Sequence, residues 1–395
     1  MADETRYTVI GAGHGGKAMA ADLAAKGFAV KLYNRTHQRI SEIALQGEIE
    51  LEYESGDTRR CRLAGATSDI GEALDDAHVV MVVLPASGHR NIARCCAPYL
   101  RDGQIVILNP GRTGGALEFR QILIQEGCTA DVVVAEAGTF IFASRSTGPA
   151  QARIFRRKNS VPLAALPATR TGYVLEAICE AYPQFIPVPN VLHTSLDNMG
   201  AIFHPALTLL NAGWIERTKG DFQFYIDGVT RSTAQVLKVL DRERVTIAAA
   251  LGVRARPALR WLKDAYSAQG NTLYEAIQAN PGYRGIKAPR NLRHRYVFED
   301  VPFSMVPLVS FGAQFGVNTW AIDSMVRLAC VVHATNYYER GRTVDDMGVK
   351  GLRVGEVLRY VQEGEVSPVY SFTGARERHS QPDAPLPVQV HRSRE

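Results

Sequence analysis

The sequence predicts an α/β fold of the Rossmann type, with a doubly wound parallel sheet, followed by a mostly α-helical domain. Short apolar runs alternate with helical patterns through residues 1–187, as they do in a parallel α/β sheet. From residue 188 onward helical periodicity dominates, and no convincing run of alternating strand residues occurs. A chain of 395 residues is also too long for one ordinary core, so two domains are expected.

The predicted sheet begins at Tyr7–Ile10, and a helix rich in small residues follows at Lys17–Lys26. The run Val79–Leu84 is apolar throughout, which is typical of a strand that is buried on both faces. Similar runs, each followed by a turn rich in Gly, Pro or Asn, predict three further strands at Ala29–Tyr33, Ile105–Leu108 and Val132–Ala135.

Two prolines mark the junction between the predicted domains. Pro187 and Pro189 stiffen the chain and forbid helix, so the domains are placed at residues 1–187 and 188–370. Residues 371–395 are rich in Arg, Ser, Pro and Gln, and a disordered tail is expected there. Helices of the second domain are predicted at Leu196–Glu216, Thr230–Leu251, Pro257–Ala268 and Thr319–Thr335.

Composition disfavours several classes of protein. Hydrophobic residues make up 46% and charged residues 22% of the chain, as in soluble globular proteins. No apolar run reaches the ~18–20 residues that cross a bilayer, and the polar first residues do not resemble a signal peptide. A net charge of +5 without a basic stripe disfavours nucleic acid as a partner.

The six cysteines lack the spacing of a zinc site, so no bound metal is expected. They are interpreted as reduced thiols, and the chain is therefore predicted to be cytoplasmic. The oligomeric state stays open, with a homodimer as one alternative.

A glycine-rich loop joins the first strand to the first helix. Gly11, Gly13 and Gly16 have Gly-x-Gly-x-x-Gly spacing, and His14 and Gly15 lie within it. The first glycine would allow a tight turn, the second the approach of a pyrophosphate, and the third close packing of helix on strand. Because the loop follows a strand and opens a helix, it predicts a nicotinamide dinucleotide site that includes all five residues.

The end of the second strand determines which dinucleotide is preferred. An acidic residue there would bind the ribose 2′-hydroxyl of NAD, but the sequence reads Asn34-Arg35-Thr36. Arg35 offers a fork of donors to a 2′-phosphate and Thr36 adds a hydroxyl, so NADP is predicted, with NAD as the alternative. Pro85 follows the Val79–Leu84 strand and is expected to lie near the nicotinamide or its ribose.

Candidate catalytic residues lie in the second half of the chain. His204 is in an otherwise apolar helix, where a core histidine bonded to a backbone carbonyl is the alternative to a catalytic one. Arg295 and Asp300 lie in a charged segment before a helix that begins near Pro302, and Asp300 is a candidate for its N-cap. The glycine-rich loop Asn109–Gly115 is either a further ligand-binding segment or a plain turn.

Together, these residues resemble the octopine/nopaline (opine) dehydrogenase family, from Gly11 to about residue 335. The resemblance rests on the glycine loop, on Asn198 with His204 and the proline after it, and on Arg295 with Asp300 five residues later. The glycine loop is shared with many dehydrogenases. The other two segments, in this order and placement, are much more specific.

The resemblance implies an NAD(P)H-dependent condensation of an amino acid with a 2-oxo acid, such as pyruvate or 2-oxoglutarate, into an N-(carboxyalkyl) amino acid. The hydride would pass from the nicotinamide to the imine carbon. The resemblance also implies that His204 is the catalytic histidine and that Asp300 is its carboxylate partner. Arg295 would be the residue that holds a substrate carboxylate. These roles suit the residues, because imidazole titrates near neutrality, a buried carboxylate orients it, and arginine binds carboxylates in bidentate fashion.

Two other interpretations stay open. Two-domain reductases of the β-hydroxyacid or ketopantoate type share the architecture, but they place a lysine on the first helix of the second domain. Leu196–Glu216 contains no lysine, which disfavours that class. A non-catalytic NADP-sensing protein is the other alternative, and it would not need His204, Arg295 and Asp300.

Overall fold

Twelve strands occur in residues 5–364, the part of the chain that the computed structural model describes, and all of them precede residue 188. They are β1 (Tyr7–Ile10), β2 (Val30–Tyr33), β3 (Glu48–Glu52), β4 (Thr58–Arg62), β5 (Gly65–Thr67), β6 (Val79–Val82), β7 (Ile105–Leu108), β8 (Val133–Ala137), β9 (Phe142–Gly148), β10 (Gln151–Arg157), β11 (Val161–Leu166) and β12 (Phe185–Pro187).

The α-helices of the same residues are distributed over both halves of the chain, and a short π-helix spans Val301–Met305. The α-helices are α1 (His14–Ala25), α2 (Ser41–Gln46), α3 (Ile70–Leu74), α4 (His89–Cys96), α5 (Gly115–Gln125), α6 (Thr171–Ile178), α7 (Val191–Leu196), α8 (Gly200–Leu210), α9 (Ala212–Thr218), α10 (Arg231–Ala250), α11 (Ala258–Tyr266), α12 (Leu273–Gln278), α13 (Arg295–Phe298), α14 (Val306–Phe315), α15 (Trp320–His333), α16 (Tyr337–Arg340) and α17 (Val354–Glu363).

Eight strands form the central sheet, in the order β12-β11-β8-β7-β6-β1-β2-β5. Neighbouring strands are parallel except β8 and β11, which are antiparallel. From β1 the chain builds the sheet first toward β2 and later toward β6, so a crevice lies at the carboxyl ends of β1 and β6. The predicted Rossmann-type fold is confirmed, with one antiparallel pair added.

A second sheet, absent from the sequence prediction, has the order β4-β3-β10-β9 and packs against α1. Its strands are only half buried: in β3, Ile49 and Leu51 are buried, and glutamates separate and flank them. The prediction relied on continuous apolar runs, which mark strands buried on both faces. Strands in which apolar and charged residues alternate were therefore not predicted.

The central sheet separates two hydrophobic cores, because side chains alternate along its strands. Val80 and Val82 of β6 belong to one core, and Val79 and Met81 belong to the other. The first core continues into the helical region, where it includes Ile202 of α8. All described residues accordingly belong to one compact unit, and the domain boundary at residue 187 stays a prediction.

The region after β12 is mostly helical, as predicted. The long helix expected at Leu196–Glu216 is instead divided into α8 and α9, with Asn211 between them. The Asn211 side chain donates to the carbonyls of Leu207 and Gly228, and such competing bonds favour a break in a helix.

Three further findings concern the described residues. None of their helices is long and apolar enough to cross a membrane. All six cysteines are free thiols, and no group of three or more potential metal ligands occurs among residues 5–364. The predicted tail at 371–395 and the end of the predicted second domain at 365–370 lie outside the described part.

Candidate active site

The loop between β1 and α1 is shaped by its glycines. Gly11 has a φ of 111°, and a Cβ there would lie 2.6 Å from the carbonyl oxygen of Val83. A Cβ on Gly16 would lie 1.5 Å from the Gly11 carbonyl oxygen, so the helix packs this closely only with glycine. At Gly13 no atom of the described residues lies within 4 Å of an added Cβ, which leaves open space before the helix N-terminus. This cradle, with unpaired N–H groups at the start of α1, fits a dinucleotide pyrophosphate.

His14 and Gly15 also contact the segment that follows β8. His14 Nδ1 accepts a hydrogen bond of 3.0 Å from the backbone N–H of Ser146. A Cβ on Gly15 would meet the Phe140 ring at 2.9 Å, so this ring lies directly against the glycine loop. Burial, followed by nearby cations, lowers the pKa of His14, so its imidazole is neutral near pH 7 and can accept that bond.

A cavity of about 350 Å³ lies at the ends of β1, β2 and β6. It is lined by Arg35, Thr36 and Pro85, which the sequence had indicated, and also by Arg39, which it had not. No carboxylate occurs among its lining residues, all of which are described. Arg35, Thr36 and Arg39 are exposed, so their donors are free to meet a ligand in the cavity. Arg39 was missed because it lies in a short helical turn beyond the strand end.

Asn34 lines the same cavity but uses its side chain within the protein. Its Oδ1 accepts from the backbone N–H of Ala12 at 3.1 Å, and its Nδ2 donates to the Thr36 carbonyl at 2.9 Å. Asn34 therefore ties the glycine loop to the end of β2. This internal bond was not predicted from the sequence.

The structure brings His204 and Asp300 together. His204 Nδ1 lies 2.8 Å from Asp300 Oδ2, and the imidazole is 21% exposed while the carboxylate is fully buried. Burial alone would raise the pKa of Asp300, but the Arg112 guanidinium and the bond from His204 outweigh it and hold that pKa below its usual range. An ionised carboxylate can only accept, so His204 carries its hydrogen on Nδ1.

Asp300 occupies the N-cap position of a helix, as the sequence suggested, but its side chain does not cap that helix. No side-chain cap bond is formed at the start of the π-helix Val301–Met305. Its carboxylate instead accepts hydrogen bonds from His204 and, at 3.4 Å, from Ser304 Oγ, and it forms an ion pair with Arg112, whose Nη1 lies 3.2 Å from Oδ1. The capping prediction was wrong because tertiary partners took the carboxylate oxygens that a cap would have used. A π-helix directly after a site residue is a frequent feature of functional sites.

Arg112 is a site residue that the sequence analysis left unassigned. It lies in the loop after β7, where its φ of 62° is unusual for a residue with a side chain. Its guanidinium is 3.2 Å from Glu299 Oε1 and 3.2 Å from Asp300 Oδ1. The glycines around it, at the carboxyl end of a parallel strand, were the signal that could have identified it.

Arg295 lies beside this cluster rather than within it. Its Nη2 is 2.8 Å from Glu299 Oε2, and its side chain is 50% exposed. Glu299 thus joins Arg295 to Arg112, one carboxylate oxygen to each. Half of the Arg295 side chain remains accessible for a ligand.

The imidazole of His204 is held from one face by aromatic rings. The Tyr296 ring stacks on it with a centroid distance of 4.1 Å and an interplanar angle of 17°. Phe224 stacks on Tyr296 in turn, at 5.3 Å. This stack and the Asp300 bond together fix the orientation of the imidazole.

Buried hydrogen bonds attach the loop of Arg112 to the helical region. Arg342, which is fully buried, lies 2.7 Å from Glu118 Oε2 and donates to the Thr113 carbonyl at 2.6 Å. Asn198 Nδ2 donates to Thr113 Oγ1 at 3.4 Å and to Ser304 Oγ at 2.9 Å. Asn198 therefore acts as a link between the two sides of the site.

Glu136 makes a second buried link, from β8 to the first helix after the sheet. Its carboxylate accepts from Thr194 Oγ1, Ser195 Oγ and the backbone N–H of Ala116, at 2.5, 2.8 and 2.8 Å. Burial raises the pKa of Glu136, and these three bonds oppose that rise. These hydrogen bonds fix the position of α7 relative to the carboxyl end of β8.

Comparison with protein families gives two matches along the chain. Residues 187–333 match the NAD/NADP octopine/nopaline dehydrogenase alpha-helical domain. Residues 6–134 match the NAD-dependent glycerol-3-phosphate dehydrogenase N-terminus.

Individual relatives agree with these matches. An opine dehydrogenase from Arthrobacter sp. (strain 1C) is 40% identical over 92% of this chain and 100% of its own length. Octopine dehydrogenase solved with NADH and L-arginine has the same fold, with a TM-score of 0.77 and 20% identity over 95% of this chain and 100% of that one. Yersinopine dehydrogenase with NADP⁺ follows, with a TM-score of 0.71 and 16% identity over 92% and 100%. The resemblance seen in the sequence is confirmed, and the chain belongs to the opine dehydrogenase family.

Proposed function

We propose that this protein is an NADPH-dependent opine dehydrogenase, which condenses an amino acid with a 2-oxo acid and reduces the resulting imine to a secondary amine dicarboxylate. The observation that carries the proposal is the buried Asp300 carboxylate, bonded to the partly exposed His204 imidazole beside the carboxyl ends of the parallel strands. Pyruvate and 2-oxoglutarate are the proposed oxo acids. Octopine dehydrogenase has been solved with pyruvate, which supports the first of them.

His204 is proposed to move the protons of the condensation. The amino acid must lose a proton before its nitrogen can attack the oxo-acid carbonyl, and the imidazole accepts that proton. The same imidazole returns a proton to the carbonyl-derived oxygen, which leaves as water when the imine forms. When bound, the reduced nicotinamide supplies the hydride that reduces the imine carbon.

Asp300 is proposed to orient His204 for these proton transfers, and Arg112 is proposed to keep Asp300 ionised. The carboxylate fixes the Nδ1–H tautomer, so the other ring nitrogen is left to exchange protons with the substrate. It also stabilises the imidazolium that forms after each proton is accepted. Arg112 keeps the Asp300 carboxylate ionised in its buried position, since it lies 3.2 Å away.

Arg295 is proposed to bind the carboxylate of the oxo acid. Its half-exposed guanidinium is four residues from Glu299, which holds one side of it and leaves the rest accessible. A guanidinium can bind a carboxylate through two parallel hydrogen bonds, and this fixes the direction of the carbonyl. The oxo acid would then present its reacting carbon in a defined orientation.

NADPH is proposed as the preferred reductant. Three side chains with free donors, Arg35, Thr36 and Arg39, line the cavity at the end of β2, and its lining includes no carboxylate. Two guanidinium groups would attract the charge of a 2′-phosphate, and no negative group of the lining would repel it. The yersinopine dehydrogenase solved with NADP⁺ supports NADP use within this fold.

A substrate-pair screen tests the proposal. The protein is mixed with NADPH, one of the two oxo acids and a mixture of amino acids, and cofactor oxidation is followed together with mass detection of the product. Parallel reactions omit the amino acids or the oxo acid. Oxidation that requires both substrates supports condensation. Oxidation with the oxo acid alone would indicate a simple oxo-acid reductase, and no oxidation with any pair would favour a sensing role.

A further inference from the structure

Lys158 is a basic residue near the glycine loop that the proposed mechanism does not use. It directly follows β10, and its backbone N–H donates to the Ile141 carbonyl at 3.0 Å. Its ammonium donates to Thr139 Oγ1 at 2.6 Å. Thr139 and Ile141 belong to the segment after β8, at the carboxyl edge of the sheet where ligands of this fold collect.

The segment bonded to Lys158 contacts both the glycine loop and the loop of Arg112. Phe140, next to its partner Thr139, lies directly against Gly15 of the glycine loop. Ala137, at the end of β8, accepts a hydrogen bond of 3.2 Å from the backbone N–H of Gly111, which precedes Arg112. Burial and then the Arg112 guanidinium lower the pKa of Lys158 to about 8. Arg112 itself contacts Asp300, the partner of His204.

The ammonium of Lys158 has no counter-charge among the described residues. Arg112 is paired with Glu299 and Asp300, but no carboxylate of residues 5–364 lies within ion-pair distance of Lys158. The side chain is exposed to solvent. An accessible cation that lacks a carboxylate partner among the described residues can bind an anionic group of a ligand.

We infer that Lys158 and Thr139 form a second carboxylate site, which binds the α-carboxylate of the amino acid. The inference rests on the proposed function, because a condensed product with two carboxylates needs two cationic sites. Arg295 is assigned to the oxo acid, which leaves Lys158 for the other substrate. An ammonium and a hydroxyl can both donate to one carboxylate, and Thr139 is already within hydrogen-bond distance of the ammonium. The site would select amino acids over simple amines that lack a carboxylate.

Two substitutions separate charge from shape at this site. Lys158→Met keeps most of the length of the side chain and removes the charge, whereas Lys158→Arg keeps a charge at every accessible pH. Lys238→Met is the matched control, because Lys238 is an exposed lysine of α10. For each protein, KM for the amino acid, KM for the oxo acid and kcat are measured below and above pH 8.

Lys158→Met is expected to raise KM for the amino acid by about 10- to 100-fold, as for the loss of a charge-assisted hydrogen bond, with KM for the oxo acid unchanged. In the unaltered protein KM for the amino acid should rise above pH 8, where the ammonium loses its proton. Arg112, the other charged group that acts on this position, stays protonated throughout. Lys158→Arg should flatten this rise, although the amino acid's own titration remains. An unchanged amino-acid KM in Lys158→Met, or a rise confined to the oxo acid, would overturn the inference.

A binding measurement keeps this test separate from that of the proposed function. If the unaltered protein condenses no substrate pair, the proposed function fails, and the carboxylate site is then examined with iminodiacetate, the smallest secondary-amine dicarboxylate. Calorimetry of the NADPH-loaded protein should give weaker binding of iminodiacetate to Lys158→Met than to Lys238→Met. Equal binding to the two variants would contradict a carboxylate site at Lys158.

Discussion

His204 Nδ1 lies 2.8 Å from Asp300 Oδ2, although 96 positions separate the two residues in the chain. The imidazole comes from α8, and the carboxylate comes from the residue before the π-helix Val301–Met305. Arg112 reaches the same carboxylate from the loop after β7. Three separate segments therefore meet at one ionised group, beside the strand ends where the fold places its ligands.

Removal of either member of this pair should reduce turnover while cofactor binding survives. His204→Ala should lower kcat on the order of 10²–10⁴-fold, as for the loss of a general acid–base. Asp300→Asn should also lower kcat, because an amide cannot offset the charge of an imidazolium. Initial rates and fluorescence titration with NADPH check both expectations. Normal turnover by His204→Ala would make the imidazole a structural residue only.

Cofactor preference should depend on Arg35. NADPH should bind more tightly than NADH, because the Arg35 guanidinium can bind a 2′-phosphate. Arg35→Asp should weaken NADPH binding by about 10- to 100-fold, since a charge-assisted bond is lost and a repulsive charge is added. Arg217→Asp, a change of the same kind at an exposed position of α9, serves as the control. Equal dissociation constants of the unaltered protein for the two cofactors would show that Arg35 does not select between them.

Arg295 should control the affinity for the oxo acid. Arg295→Ala should raise KM for the oxo acid by about 10- to 100-fold and leave NADPH binding intact. Arg295→Lys should restore only part of the affinity, because an ammonium keeps the charge but cannot form the two parallel bonds. Steady-state kinetics at saturating amino acid measure these changes. If KM for the oxo acid is the same in all three proteins, Arg295 is a surface partner of Glu299 and nothing more.

His89 should make the fold sensitive to acid. It is fully buried, and burial followed by the nearby Arg342 lowers its pKa to about 3, from an ordinary value of 6.5. Between these two values the unfolded chain binds more protons than the folded protein, so stability falls as the pH falls through that range.

In His89→Asn, unfolding should take up as much as one proton fewer in this pH range. The slope of the unfolding free energy against pH should therefore decrease by up to about 1.4 kcal/mol per pH unit. Urea unfolding between pH 6.5 and pH 3 measures the slope. His37→Asn, at an exposed position, is the matched control variant. A slope in His89→Asn equal to that of the unaltered protein would show that His89 does not titrate on unfolding.

Part of the site could be predicted because its signals are local. Gly11, Gly13 and Gly16 occupy fixed positions in a strand-loop-helix unit, and the backbone needs of that unit are the same wherever it occurs. His204 and Asp300 were paired by their resemblance to a family pattern, not by periodicity. Spacing alone favoured a core histidine, and it suggested a helix cap at Asp300 that the structure does not contain.

The remainder of the site depends on contacts between distant segments. Arg112 and Lys158 are ordinary basic residues in the sequence. Only the folded chain shows that Arg112 is paired with two carboxylates and that Lys158 is paired with none of residues 5–364. Asn34 was expected at the cofactor, yet its amide is occupied by Ala12 and Thr36. These contacts form only when distant segments of the chain pack together, so local sequence patterns do not predict them.

Hydride transfer and carbon–nitrogen bond formation are proposed to give a single product. The most direct test supplies deuterated NADPH, unlabelled oxo acid and amino acid that carries heavy nitrogen, and it measures the masses of the products. We expect one product that contains both the deuterium and the heavy nitrogen, formed with loss of water and absent from reactions with His204→Ala. A deuterated hydroxy acid without nitrogen, formed whether or not the amino acid is present, would contradict it.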